Sequence, residues 1–278
     1  MKTEEFDPVI RAALKEDIPE GDITSESIIP AASRSEALFL PREEGVLAGI
    51  DVAKRVFELI DPQVSFEMEF RDGQSFQKGT VLAKVRGASV SLLKGERTAL
   101  NFLQRLSGIA TTTKRFVEAI AGTQAKILDT RKTTPGLRIL EKYAVRMGGG
   151  QNHRLNLSEM VMIKDNHLLL VKSIKNAVSK AREQLGSGIK IEVEVTSLEQ
   201  AQEAVRAGAD MIMLDNMPLA RMKEVVDWLE KKVPVEVSGA VRLEDIREIA
   251  LLGVDFISVG SLTHSYKSVD IALEFLSR

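Results

Sequence analysis

Alternation of apolar and polar positions is clearest in the last third of the chain. In Ile189–Val195 (IKIEVEV) β-branched residues alternate with lysine and glutamate, the two-residue period of a strand. Ser197-Leu-Glu-Gln200 follows with capping-box spacing and predicts a helix to Ala207. Gly208 closes it, and Met211–Leu214 is the next strand. Beyond Pro218 the pattern predicts a helix to about Lys232, a strand at Val233–Val237, a helix at Arg242–Leu252 and a strand at Phe256–Val259. The corners Ala207-Gly-Ala-Asp210 and Leu252-Gly-Val-Asp255 nearly repeat, each with glycine where a left-handed helix end is required. Upstream, Ala125–Leu128 and Met160–Ile163 read as buried strands, and Gln184–Gly188 as a turn. Strand–helix units of about 20–25 residues imply a parallel sheet, doubly wound or closed into a barrel of about six to eight units.

The first hundred residues lack that rhythm. Arg34–Leu40, Gly45–Ala48, Val64–Phe70 and Val81–Arg86 are strand-like, Val52–Ile60 is helical, and Arg71-Asp-Gly73 and Lys78-Gly79 mark turns. These predict a mixed α+β domain with an antiparallel sheet. A long helix from about Glu96 to Ala121, broken near Ser107-Gly108, leads into the α/β barrel. The expected division is 1–105 and 106–278, with a last helix that can return to the first domain.

Composition narrows the chemistry. There are no cysteines, which excludes disulfides, thiolate metal sites and a cysteine nucleophile. Three histidines (His153, His167, His264) form no His-x-x-x-His pair. The acidic start, MKTEEFDPVI, and the lack of any long apolar run predict a cytoplasmic chain. A net charge of −2 argues against nucleic acid. The average conceals an island: Lys126–Lys164 holds eight Lys/Arg against three acids, or +5, which leaves −7 elsewhere. That suits a small anionic ligand, or else a solvated positive face.

In parallel βα folds ligands bind beyond the carboxyl ends of the strands. Those ends carry Asp129-Thr-Arg131-Lys132, Lys164-Asp-Asn166, Glu192 and Glu194, Asp215-Asn216, Ser238-Gly-Ala240 and Ser258-Val-Gly260-Ser261. The last two are glycine- and serine-rich and suit a phosphate held by backbone N–H groups. Glu194 and Asp215, on neighbouring strands, suit magnesium or sugar hydroxyls, or an ion network with Arg131, Lys132 or Lys164. Glu192 lies deeper and reads as structural. Lys164 could form a Schiff base, but the nearby acids favour a charged lysine that binds an anion. His153-Arg154 follows the flexible Gly148-Gly-Gly150 and could donate to a carboxylate, or lie at the surface. Arg97 is a surface residue by default, and Met160, Met162, Met211 and Met213 are core.

Several motifs in order resemble one family. Glu96-Arg97-Thr-Ala-Leu-Asn101, Thr130-Arg131-Lys132-Thr-Thr-Pro-Gly136, His153-Arg154, Val161-Met-Ile-Lys164-Asp-Asn-His167, Glu192-Val-Glu194-Val and Leu214-Asp215-Asn216 look like quinolinate phosphoribosyltransferase. Gly21-Asp-Ile-Thr-Ser25 and Asp72-Gly…Lys78-Gly79 extend the resemblance over nearly the whole chain. It implies an α+β N-terminal domain on an incomplete (β/α) barrel. It further implies transfer of phosphoribose from phosphoribosyl pyrophosphate to quinolinate with magnesium, releasing pyrophosphate and carbon dioxide and giving nicotinate mononucleotide. By the same resemblance, Arg131, Lys132, His153, Arg154 and Lys164 surround the anionic groups. Glu194 and Asp215 face ribose and magnesium, and Ser238, Gly239 and Ala240 with Ser258, Val259 and Gly260 hold the 5′-phosphate. Arg97 reaches the site of a partner subunit, which implies a homodimer. The family's first phosphate loop usually has Gly or Asn where this chain has Ala240; a positive φ there would cost alanine roughly 1 kcal/mol. Three rivals share single features: a molybdenum-transport paralogue, a barrel aldolase using Lys164, and a biotinyl-like carrier at Arg71–Arg86. The carrier lacks its Met-Lys-Met hairpin.

Overall fold

The computed structural model describes residues 3–276. In chain order the elements are α1 (Thr3–Asp17), α2 (Ile23–Ile28), β1 (Arg34–Pro41), β2 (Gly45–Val46), α3 (Ile50–Ile60), β3 (Ser65–Met68), β4 (Ser75–Phe76), β5 (Ala83–Ala88), α4 (Ser89–Ala119), β6 (Lys126–Leu128) and α5 (Arg138–Met147). There follow β7 (Val161–Ile163), α6 (Asp165–Val171), α7 (Ile174–Leu185), β8 (Ile191–Val195), α8 (Leu198–Arg206), β9 (Met211–Asp215), α9 (Leu219–Leu229), β10 (Val235–Ser238), α10 (Ile246–Leu251), β11 (Phe256–Ser258), α11 (Ser261–His264) and β12 (Ile271–Phe275).

The chain forms two compact units. One comprises 1–114, 133–149 and 262–278, the other 115–132 and 150–261. In the first unit, β12, β1, β5 and β3 form an antiparallel sheet in that order. Phe39, Phe57 and Phe66 pack together with ring centroids 5.6–6.2 Å apart, the offset and edge contacts that aromatic quadrupoles favour. Three features differ from the sequence expectation. The last element is not a helix but the strand β12, whose Ile271 and Leu273 alternate inward opposite β1. The long helix α4 runs unbroken through Ser107-Gly108. Gly108 serves close packing instead: a Cβ there would lie 2.3 Å from the Lys267 carbonyl oxygen. The turn at Asp72 is a remote helix cap. Its carboxylate accepts from Gly49 N (2.8 Å), Ile50 N (3.0 Å) and Tyr143 Oη (2.6 Å), closing the start of α3.

The second unit is a six-stranded parallel sheet in the order β6-β11-β10-β9-β8-β7. Its strands match the predicted positions, while α9 stops at Leu229 because Glu230 and Lys231 adopt left-handed φ of 45° and 62°. Gly208 and Gly253 have φ of 89° and 88°, as their helix ends require. Ser197 caps α8 by accepting from Gln200 N; the Gln200 side chain turns to Thr196 instead of completing the box. Register fixes the two faces. Glu192 pairs with Met211, Glu194 and Glu236 both pair with Met213, and Ser238 pairs with Asp215, so these side chains share one face. Val193, Val195, Ile212, Leu214, Val235 and Val237 occupy the other and are buried. The acid–valine alternation therefore separates two covered faces, with the carboxylates on the inner one.

Candidate active site

The carboxyl ends of the strands bring the predicted residues together in a definite order. Arg131 and Lys132 follow β6, Ser258 ends β11, Ser238 ends β10, Asp215 ends β9, Glu194 is in β8 and Lys164 follows β7. Cations thus stand at both margins, glycine–serine loops lie on one side of centre, and carboxylates lie on the other.

The segment beyond Gly150 spans the two open edges. Gln151 bridges in parallel to Leu128, accepting from Asp129 N at 3.1 Å and donating to Ile127 O at 2.8 Å. Ten residues later the chain is β7, and Arg154 Nη1 donates to Met160 O at 2.8 Å just before that strand. Buried Asp129 fixes the start of the segment, accepting from Asn152 Nδ2 and, at 2.9 Å, from His153 N. His153 and Arg154 are held where β6 and β7 do not meet.

His153 is not at the surface: its side chain is only 6% exposed. Its Nε2 lies 3.2 Å from Glu192 Oε2 and 3.3 Å from Glu236 Oε2, and both glutamates are fully buried. The ring meets carboxylates of the protein itself. Burial alone would depress the imidazole, but the two carboxylates override it and push it up to about 9. Nδ1 opposes that second proton, because the Arg154 backbone N–H donates to it at 2.7 Å. With Nδ1 accepting, Nε2 is the ring nitrogen that carries hydrogen toward the two glutamates. Glu192 is pushed up to about 7, chiefly by burial, partly offset by His153 and reinforced by Glu236. Glu192 Oε1 and Glu236 Oε2 have no hydrogen-bond partner among the described residues, whereas Glu236 Oε1 accepts from Ser258 Oγ.

Burial, and next to it the Arg131 guanidinium, lowers the Arg154 pKa, while Glu192 opposes the shift. Lys164 Nζ donates to Glu194 Oε2 at 2.8 Å. Asp215 accepts from Asn216 Nδ2 at 2.8 Å and is half-buried. Lys132 and Ala240 are exposed, Gly239 is half-buried, and Val259 is buried behind Gly260. Ala240 has no positive φ, so the feared alanine strain does not arise. The left-handed position is Gly239, with φ 127°, and Ala240 N donates to Asn216 Oδ1 at 3.3 Å. Arg97 is exposed on α4 in the first unit. Glu236 and Asn152 were missed from sequence; Val235-Glu-Val-Ser238 repeats the inward phase of Glu192 and Glu194, a signal that could have found Glu236.

The quinolinate phosphoribosyl transferase N-terminal domain matches residues 22–107, and the C-terminal domain of that family matches residues 109–274. A probable nicotinate-nucleotide pyrophosphorylase [carboxylating] of Bacillus subtilis is 46% identical over 259 residues, covering 93% of this chain and 89% of its own. The nicotinate-nucleotide pyrophosphorylase [carboxylating] of Mycobacterium leprae is 43% identical and covers 97% and 98%. The crystal structure of NadC from Streptococcus pyogenes superposes with a TM-score of 0.96 at 42% identity, covering 100% of this chain and 99% of that one.

Proposed function

The chain belongs to the quinolinate phosphoribosyltransferase family, and from that premise we propose that it transfers phosphoribose from phosphoribosyl pyrophosphate to quinolinate. The products are nicotinate mononucleotide, pyrophosphate and carbon dioxide, a step of NAD biosynthesis. The reading is carried by the cations gathered at the strand ends: Arg131 and Lys132 after β6, Lys164 after β7, and Arg154 on the segment between those two edges. Quinolinate has two adjacent carboxylates, and these guanidinium and ammonium groups match them in charge.

Lys132 and Lys164 would balance the remaining negative charge. Glycosyl transfer of this kind passes through an oxocarbenium-like state and needs no protein nucleophile. The contribution of the chain is positioning and charge stabilisation. The loops Ser238–Ala240 and Ser258–Gly260 would hold the 5′-phosphate, while Glu194 and Asp215 orient the ribose hydroxyls. The same two carboxylates, hard oxygen donors on one face of adjacent strands, fit magnesium. Magnesium, when bound with phosphoribosyl pyrophosphate, supplies charge neutralisation of the leaving pyrophosphate. Once the pyridine nitrogen is alkylated its positive charge stabilises the electron pair left at the adjacent ring carbon as the carboxylate departs as carbon dioxide, and that carbon then takes a proton from water.

A cytoplasmic homodimer is part of this reading, with exposed Arg97 completing the site of the partner subunit. Mixing Arg97→Ala and Lys164→Ala proteins, each inactive alone, should then restore activity. The reaction itself is tested by carbon dioxide release from carboxyl-labelled quinolinate. Release should require both phosphoribosyl pyrophosphate and magnesium, and release without the former sinks the proposal.

A further inference from the structure

Glu236 has no place in the chemistry just described, yet it is fully buried and joins two parts of the site. One oxygen accepts from Ser258 Oγ, at the head of the loop after β11. The other lies 3.3 Å from His153 Nε2, beside the 3.2 Å contact of the same nitrogen with Glu192. The opposite side of the ring accepts from Arg154 N at 2.7 Å. Both ring nitrogens of His153 thus face inward to the protein. Arg154 in turn donates to Met160 O, with its Nη2 3.7 Å from Met162 Sδ.

Burying two carboxylates is costly unless each has a partner. A chain that needed only a packed interior would place Leu or Met at these positions, as β9 does at Met213 beside Glu236. The observed arrangement is a continuous polar path: Ser258, Glu236, His153 with Glu192, and the Arg154 backbone. We propose that Glu192, His153 and Glu236 are positioning residues: they fix the backbone that presents Arg154 and tie it, through Ser258, to the phosphate loop of β11. The consequence is coupling. A change at Glu236 acts on the dicarboxylate site as well as on the phosphate site beside it. His153 serves this role without itself touching substrate. The inference rests on the quinolinate reading for the identity of the two ligands.

The experiment is steady-state kinetics of Glu236→Gln and Glu192→Gln against the wild-type enzyme, varying each substrate at saturating magnesium. Losing the charge of one buried carboxylate beside the His153 ring is worth about a tenfold change in an equilibrium. Glu236→Gln should raise KM for both quinolinate and phosphoribosyl pyrophosphate about tenfold, with a smaller change in kcat. Glu192→Gln, which does not itself bond Ser258, should raise KM for quinolinate more than KM for phosphoribosyl pyrophosphate. A Glu236→Gln enzyme that melts lower but keeps the wild-type KM for quinolinate overturns the coupling, since a merely structural residue would behave so. If the variants do not fold, nitrogen-15 spectra of the wild-type histidines decide. With only three histidines, His153 is assignable by replacing His167 and His264. Its Nδ1 should be unprotonated and should stay so when quinolinate is added; a protonated Nδ1, or one that loses its partner on binding, overturns the proposal. Wild-type enzyme that does not turn over quinolinate would instead defeat the functional reading.

Discussion

Lys164 Nζ and Glu194 Oε2 lie 2.8 Å apart and join the ends of two adjacent strands, β7 and β8. The lysine is 43% exposed and the glutamate 10%, so the pair faces the strand-end opening instead of supporting the core. Partly exposed pairs stabilise folds by about 0–1 kcal/mol. Replacing Lys164 by Ala should therefore lower the melting temperature little. The loss of kcat/KM should be about 10²-fold or more, the scale of one preorganised charged group. Borohydride with a carbonyl substrate should leave no adduct on Lys164; a trapped adduct would restore the aldolase reading.

In the proposed reaction Arg131 and Arg154 bind the two carboxylates of quinolinate, so the ligand should stabilise the folded protein. Quinolinate at 100 times its Kd should stabilise the protein by about 2.7 kcal/mol, read as a rise in melting temperature. Arg131→Ala should lose most of that rise together with at least about 10²-fold in activity. Near-wild-type turnover by Arg131→Ala would count against the whole placement of the substrate.

Glu192 gives stability a pH dependence of definite sign. Its native pKa of about 7 is above the usual carboxyl value, so between about 4.5 and 7 the folded state holds a proton that the unfolded chain has released. The contribution is complete below that window and fades as pH rises through it, by an amount on the order of 1–3 kcal/mol. Urea denaturation of the metal-free protein at pH 5 and pH 8 measures the difference. Glu192→Gln cannot titrate and should flatten the slope; an equal slope in both proteins would show that the carboxyl ionises normally.

Much of the parallel unit was legible because one signal, two-residue alternation, coincides there with glycine at helix ends. Strands β8 to β11 and the left-handed Gly208 and Gly253 are local features that a sequence displays directly. What escaped was set by partners distant in the chain. Asp72 read as a turn, yet its role depends on Gly49 and Tyr143, 23 and 71 residues away. Ile271–Phe275 becomes a strand because β1 offers an edge. Buried Phe6, Ile10 and Leu14 do carry a helical period in α1, obscured by the flanking acids and Pro8. His153 looked like a donor for substrate because nothing local announces Glu192 and Glu236, which only the closing of the sheet brings to its ring.

Asp72 supports the first unit through three donors, two of them the first free N–H groups of α3. Asp72→Ala should remove about 2–4 kcal/mol, combining a lost cap with unpaired buried donors. Asp72→Asn, which keeps an acceptor oxygen, should remove less. Equal losses in equilibrium urea unfolding would assign the effect to charge and not to the hydrogen bonds.

Gly239 and Ala240 make opposite demands on the loop after β10. At Gly239 φ is 127°, and a Cβ would lie 2.4 Å from Asn216 Oδ1, so side chain and backbone both forbid a larger residue. Asn216 itself has φ 50° and holds Ala240 N, so displacing it would turn that N–H away from its present direction. Gly239→Ala should therefore raise KM for phosphoribosyl pyrophosphate by about tenfold or more, the effect of one misplaced backbone donor. Ala240→Gly should leave it within about twofold, because Ala240 needs no left-handed backbone and a glycine adds only local flexibility, about 0.5–1 kcal/mol. Measuring both variants with quinolinate saturating isolates the phosphate loop, and the reverse ranking would show that Ala240, not Gly239, sets its geometry.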